Sequence, residues 1–234
     1  MNILVIIPAF NEEENISKLI RKIQEIKYKN KVDIVIINDQ STDETSSLCK
    51  KMYVDVLDLP CNLGIGGAVQ TGYKFAALHN YDIAIQVDGD GQHNPEYIES
   101  LIEPILQGKS DMVIGSRYIE HQGFQSTGMR RMGIWYLKHL INILTGLKIT
   151  DPTSGYRACN KEVIQIFASN YPKDYPEPES IMYIKRKGLI VSEVPVIMNE
   201  REGGESSINF NRSIYYMIKV SLAIVFDKIR KESF

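Results

Sequence analysis

The chain has 234 residues, 44% hydrophobic and 24% charged, with 16 Gly, 9 Pro and a single Trp, an ordinary globular composition that excludes collagen-like, low-complexity and disordered classes. A chain of this length buries roughly 70 to 75% of the surface of its unfolded form, enough for one large core without metal or disulfide staples, so one domain is expected. Lys and Arg total 27 against 29 for Asp and Glu, a net charge of -2 that gives no global drive toward nucleic acid and confines any basic surface to a local patch.

In chain order, residues 1–10 (MNILVIIPAF) are apolar, but no basic segment precedes them and the acidic NEEEN follows, the pattern of a first strand and not of a signal peptide. Further short Val- and Ile-rich runs at Val32 to Ile37, Tyr53 to Leu57, Ile83 to Val87 and Met112 to Ile114 are expected as strands covered on both faces. Helices are expected between them. Ile16, Leu19, Ile20 and Ile23 form one stripe, and Asn11 with Glu14, like Ser41 with Glu44, has capping-box spacing. Asn94-Pro95 reads as a cap followed by Pro at the first helical position, with Ile98, Leu101, Ile102 and Ile105 facing inward and Gly108 just past the end. This alternation predicts βαβ units and a mostly parallel, Rossmann-like sheet flanked by helices. The second half is less regular, with YPKDYPEPES, a strand-like Leu189 to Val194 and a Gly203-Gly204 loop.

The last stretch, SIYYMIKVSLAIVFDKIRK, is apolar but interrupted by Lys219 and Asp227, short of the about 20 residues a spanning helix needs. It is expected to be an amphipathic helix that either packs on the core or lies in a membrane interface with Lys228, Arg230 and Lys231 toward anionic lipid. Cys49, Cys61 and Cys159 show no CxxC spacing, which points to reduced thiols in a cytoplasmic protein and away from structural zinc.

In open parallel sheets ligands bind beyond the carboxyl ends of the strands, and those positions are strongly polar here. Asp88 and Asp90 flank Gly89 after the strand IAIQV; residues two apart in an extended segment point the same way, so both carboxylates can face one hard cation while Gly89 leaves room for a diphosphate. Asp39 follows VDIVII and either accepts hydrogen bonds from a ribose or base edge or caps a turn. The glycines of Asn62-Leu63-Gly64-Ile65-Gly66-Gly67 precede a helix through Val69, Tyr73 and Ala76 and allow close approach of a backbone or diphosphate. They do not form the dinucleotide fingerprint, since they follow Asn62 and no acid stands about 20 residues later at a strand end.

Taken together, VIIPAFNEEENI, VIINDQSTDET, NLGIGGAVQTG, QVDGDGQHNPE, GSRY, DPTSGYRACN and EVPVIMNEREGGESSI resemble family 2 glycosyltransferases of the GT-A fold, and most specifically the polyprenyl-phosphate, dolichyl-phosphate mannosyltransferase-like branch, over about residues 1–210. The resemblance implies a UDP- or GDP-sugar donor, Mg2+ or Mn2+ as cofactor, inversion at the anomeric carbon, and a polyprenyl-phosphate acceptor. By position, Pro8, Ala9, Asn11, Glu12, Asp39, Gly67 and Gly89 match nucleotide-sugar-binding positions, and Asp88, Asp90 and Gln92 the metal and diphosphate cluster. Arg117 and Arg131 match arginines that hold phosphate near the acceptor, Arg201 one that grips the donor diphosphate, and Glu179 an acid beside the donor sugar. One departure is plain: Asn38-Asp39-Gln40-Ser41 stands where the usual pattern is D-D-G-S, so a carboxylate and a turn glycine are absent while Asp39 remains. The paired C-terminal transmembrane helices of many relatives are not expected.

The implied organisation is a catalytic domain over 1–210, with a nucleotide-binding half about 1–115 and an acceptor half about 116–210, followed by the amphipathic helix at 211–234. An acceptor phosphate is already ionised near neutral pH and needs cations more than a base, a job guanidinium groups suit. Arg130, beside Arg131, is an alternative phosphate ligand. Transfer to a glycan or protein hydroxyl would need a base, with Glu179 the candidate; a non-catalytic nucleotide-sugar-binding subunit is the third reading. His93 adjoins the metal motif and reads as a helix-entry residue before Pro95 or as a third ligand. Trp135, Tyr136, Leu137 and Leu140 read as core or as a lipid-tail groove. A lipid acceptor implies a peripheral protein at the inner face of the cell membrane, held there by its own helix or by a membrane-protein partner.

Overall fold

A computed structural model of the chain describes residues 1–125, 128–173, 176–200, 217, 219–224 and 226, with the side chains of Met129 and Arg130 outside the description. In chain order the elements are β1 (Asn2–Ala9), α1 (Ile16–Glu25), β2 (Lys31–Asn38), α2 (Thr45–Lys51), β3 (Asp55–Asp58), α3 (Gly64–Leu78), β4 (Ile83–Gln86), a 3₁₀ turn (Pro95–Tyr97), α4 (Ile98–Leu106), β5 (Met112–Ser116), α5 (Gly128–Thr145), β6 (Arg157–Asn160), α6 (Lys161–Ser169), α7 (Pro176–Arg186) and β7 (Val191–Pro195). The strands form one sheet in the order β3-β2-β1-β4-β6-β5-β7. All neighbours are parallel except β6, which runs antiparallel to both β4 and β5. Residues on either side of position 115 therefore share one sheet.

The central strand β1 shows why this sheet is covered on both faces. Leu4 and Ile6 enter one apolar cluster with α3, α6 and α7, while Ile3, Val5 and Ile7 enter the other with α1 and α4, as the two-residue alternation of a strand requires. The α1 stripe Ile16, Leu19, Ile20 and Ile23 is buried in the second cluster. Asn94 caps the turn at Pro95 by accepting a hydrogen bond from the Glu96 amide, and Gly108 follows α4 with φ +67°.

Two expected helix starts are corrected. α1 begins at Ile16, with no side-chain cap at Asn15, and α2 begins at Thr45, whose amide donates to the Asp43 carboxylate at 3.0 Å. Asn11 and Ser41 bond to each other's loops instead, because the loops after β1 and β2 lie side by side. β6 has no signature in its four residues RACN: pairing on both edges, with Ala158 and Cys159 wholly buried, makes it a strand.

Along α5, Leu137 and Ile141 are core, Leu140 packs against the core, and Met132, Trp135, Tyr136 and Ile143 are exposed. The described residues of 217–226 are helical; Val220 and Ile224 are fully buried, Leu222 and Phe226 are exposed, and Ser221 shares a hydrogen bond with Tyr136. The core reading thus holds for one face of each segment, and the other face is exposed. No helix among the described residues is long and apolar enough to cross a membrane.

Candidate active site

The loops after β1 and β2 are stapled together. The Asn11 amide donates to Ser41 Oγ (3.0 Å), the Thr42 amide donates to Asn11 Oδ1 (2.8 Å), and the Glu12 amide donates to Thr45 Oγ1 (2.9 Å). Asn11 takes φ +54° to do so, a conformation asparagine tolerates. Asp39 is buried between these loops and α3: its carboxylate accepts the Leu63 and Gly64 amides at 2.7 and 2.9 Å, a negative charge at the start of a helix. Of the two readings of Asp39, the capping contact is the one realised within the chain.

The departure from D-D-G-S has a structural account. Gln40 takes φ +62° where a glycine is usual, and its side chain accepts the Asn62 amide at 3.0 Å. Asn38 donates from Nδ2 to Asp58 Oδ1 at 2.8 Å and accepts the Ser41 amide. Hydrogen bonds from Lys50, Ser46 and Asn38 hold the Asp58 carboxyl down to about 2, a contribution to stability present above the ordinary carboxylate value and lost as pH falls through about 2. Asn38→Asp replaces a donor by a like charge. We expect it to destabilise the fold by about 1 to 2 kcal/mol at neutral pH, kept modest because Asp58 is partly exposed. The deficit should shrink below about pH 5, where one proton bridges the two carboxyls. Urea melts at pH 7 and pH 4.5 check this; an equal deficit at both pH values would contradict the shared-proton explanation.

After β4 ends at Gln86, Asp88 precedes a turn at Gly89-Asp90, so turn geometry and not strand alternation sets the direction of Asp90; this corrects the expectation of one extended segment. Asp90 Oδ1 accepts the Gln92 amide at 3.0 Å. A Cβ on Gly89 would lie 3.1 Å from Pro8 O, 3.5 Å from Glu12 Cγ and 3.6 Å from Ala9 Cβ, so the loop rests on the end of β1 and brings Pro8, Ala9, Glu12 and Gly89 together. A Cβ on Gly155 would stand 3.0 and 3.1 Å from the two Asp88 oxygens; only a missing side chain leaves that carboxylate its place. Gln86 Nε2 donates to Asp88 Oδ1 at 3.2 Å.

His93 is a clamp on this loop. The Asp88 amide donates to its Nδ1 at 3.0 Å, so Nδ1 is unprotonated, and Nε2 lies 3.6 Å from Asp88 Oδ2. The ring is buried and stacks on Tyr156 (4.7 Å, 10°), whose hydroxyl donates to Asn94 O at 2.9 Å. Among the described residues no group of three or more His, Cys, Asp or Glu side chains is arranged to hold a metal. Two carboxylates and the Gln92 amide oxygen are hard donors, and the Asp88 carboxylate, about a third exposed, is open on one side. Oxygen donors of this kind could hold a divalent cation, which would take its remaining ligands from a bound diphosphate and water.

The two arginines expected to hold phosphate differ. Arg117 is 5% exposed, with Nε at 2.6 Å and Nη2 at 3.3 Å from the two oxygens of the fully buried Asp151. Burial works to lower the Arg117 pKa, the Asp151 charge overrides it, and the net direction is up. Asp151 is itself held by Glu193, which accepts the Thr150 and Asp151 amides at 2.7 and 2.8 Å, while burial pushes the Glu193 carboxyl up. Arg131, by contrast, is exposed on the first turns of α5. Glu179 lies in the first turn of α7, half-buried. Arg201 and the Gly203-Gly204 loop lie outside the described residues. Gly66 closes on the protein's own backbone, since a Cβ there would stand 2.2 Å from Lys173 O, and Gly67 faces the Leu63 side chain. Asp151 and Tyr156 were not among the expected site residues, although the run DPTSGYR holds both, and His93 was expected as a helix-entry residue or a third ligand and not as a clamp on the loop; only pairing and burial reveal these contacts.

A polar cluster outside the carboxyl ends of a mostly parallel sheet is where this class of α/β protein binds its ligand. Residues 4–167 match the model of "Glycosyl transferase family 2", and the chain belongs to that family of glycosyltransferases. It is 33% identical over 232 residues to a dolichol-phosphate mannosyltransferase of Pyrococcus furiosus, covering 94% of this chain and 64% of that protein. It is 30% identical over 214 residues to a UDP-N-acetylglucosamine–dolichyl-phosphate N-acetylglucosaminyltransferase of Methanococcus voltae, covering 83% and 84%. The fold is GT-A: glucosyl-3-phosphoglycerate synthase of Mycobacterium tuberculosis, solved with Mn2+, UDP and phosphoglyceric acid, superposes with a TM-score of 0.74 at 20% identity, over 99% of this chain and 80% of that one.

Proposed function

We propose that this glycosyltransferase moves a hexose, with inversion, from a UDP- or GDP-sugar to polyprenyl phosphate at the inner face of the cell membrane, through a catalytic domain spanning residues 1–210. The reading rests chiefly on the Asp88-Gly89-Asp90 loop, seated on the end of β1 beside Pro8, Ala9 and Glu12. That is a place for a diphosphate bounded by carboxylates, and two relatives carry dolichyl phosphate in their names.

In this scheme Pro8, Ala9, Asn11, Glu12, Asp39 and Gly67 bound the nucleoside. Asp88, Asp90 and Gln92 hold Mg2+ or Mn2+, which when bound supplies counter-charge for the diphosphate. Arg201 grips the same diphosphate as negative charge develops on it, and Glu179 contacts the sugar hydroxyls. Arg131, exposed on α5, receives the acceptor phosphate. Arg117, tied to Asp151 by two of its nitrogens, adds positive potential from beneath and has Nη1 left to donate. The acceptor oxygen attacks as an anion, so no general base is required.

A panel of radiolabelled UDP- and GDP-sugars offered with undecaprenyl phosphate tests the reading by whether label enters the lipid phase. Label found only on a glycan or peptide hydroxyl would replace it with the hydroxyl-acceptor reading. Membrane contact is expected through the exposed Met132, Trp135 and Ile143 of α5 with Leu222 and Phe226. One such surface binds reversibly, and each nearby basic residue adds about 1 kcal/mol. The protein should therefore sediment with anionic liposomes at low salt and much less at high salt. Leu222→Ser with Phe226→Ser should weaken sedimentation severalfold while leaving nucleotide binding intact; unchanged sedimentation would assign membrane contact elsewhere.

A further inference from the structure

Arg157 is among the largest fully buried side chains of the protein, at 1% exposure, and among the described residues no carboxylate stands within ion-pair reach of it. Buried guanidinium groups ordinarily pair with an acid, and an apolar residue of similar volume fills the same space at less cost. Here the charge is held by neutral oxygens from separate segments. Nε donates to Ser154 O (2.7 Å), Nη2 to Pro152 O (3.2 Å) and Nη1 to Ser180 Oγ (2.6 Å). The Ser180 hydroxyl in turn donates to Glu177 O at 3.0 Å, so its direction is fixed: it accepts from Arg157 and donates within the first turn of α7, the turn that carries Glu179.

At its other end Arg157 adjoins the carboxylate loop. It stands directly opposite Gln86 in the antiparallel β4–β6 ladder, and opposed residues share a face of the sheet. Gln86 is buried, holds Asp88 Oδ1 through Nε2, and leaves Oε1 buried without a partner. One rigid fork thus ties the α7 turn and the Pro152–Ser154 loop to the strand pair beneath Asp88.

We propose that Arg157 is a positioning residue for transfer, setting Glu179 relative to Asp88 and so governing how the donor's sugar is held, but not its nucleoside diphosphate. This rests on the reading of Glu179 as the sugar contact and Asp88 as part of the diphosphate site. Ser180→Ala removes the link to α7 and leaves the charge in place; Arg157→Lys keeps the charge but cannot span three acceptors. Mn2+-dependent binding of UDP and GDP is measured by calorimetry, beside kcat and KM for the nucleotide sugar that the wild-type chain uses and for its epimer. In Ser180→Ala we expect nucleoside diphosphate binding within twofold of wild type, a kcat about tenfold lower, and a smaller preference between the epimeric donors. Arg157→Lys should do the same more strongly; if it does not fold, Ser180→Ala carries the test alone. The proposal is overturned if Ser180→Ala leaves kcat and donor preference within twofold of wild type, or weakens nucleoside diphosphate binding in parallel with transfer. If the wild-type chain binds neither UDP nor GDP with Mn2+, the diphosphate reading itself falls, and this inference falls with it.

Discussion

Stripping divalent metal with a chelator, or changing Asp90→Ala, will lower sugar transfer at least about 10²-fold, equivalent to about 2.7 kcal/mol of transition-state stabilisation. In the proposed scheme the donor's diphosphate leaves with negative charge, and that charge needs fixed cations near it. Asp90 makes a turn contact with the Gln92 amide, so its removal also loosens the position of Gln92, a second reason for a large effect. The measurement is the initial rate of lipid-linked product with Mn2+ titrated back after chelation. Full activity in chelator, or an Asp90→Ala variant at wild-type rate, would remove the metal from the scheme.

Asp151→Asn will destabilise the protein by about 3 to 5 kcal/mol, the range found when one member of a buried ion pair is lost. Arg117 and Asp151 are both nearly inaccessible to water, so a neutral partner leaves the guanidinium charge without compensation, and one amide N–H would face another donor. For a chain of this size the melting temperature should fall by roughly 10 °C. Replacing both members together, Arg117→Met with Asp151→Leu, should recover much of the loss, because two well-packed apolar groups avoid the desolvation penalty. Denaturant melts of the single and double variants measure it. A single variant within 1 kcal/mol of wild type would mean that the pair is screened by water. Activity of the double variant then reports whether the Arg117 charge matters to transfer: a folded but slow enzyme supports its role beneath the acceptor phosphate.

Much of this molecule was legible in its amino-acid order, for a local reason. Continuous apolar runs such as Ile3 to Ile7 and Ile34 to Ile37 are strands wherever both faces are covered, and the stripe Ile16, Leu19, Ile20 and Ile23 has only one way to be buried. Those periods place β1, β2, β4 and β5 and the helices between them. Because ligands lie beyond the carboxyl ends of parallel strands, they also nominate Asn11, Glu12, Asp39, Asp88 and Asp90 before any coordinates are known.

What the residue order could not carry is whatever depends on partners far along the chain. β6 reads as nothing in RACN and becomes a strand because β4 and β5 offer it two edges. The capping boxes at Asn11 and Ser41 fail because the two loops find each other across 30 residues, and those side chains are consumed in stapling them. Asp39, an acid at a strand end, reads equally as a ribose contact or as a cap, and its capping contact exists only because α3 docks its first amides onto it. Arg117 and Arg131 are alike as letters. Tertiary structure alone decides that one is sunk onto Asp151 and the other stands in water, since the cost of burying a charge depends on whether an acid from elsewhere in the chain is there to meet it.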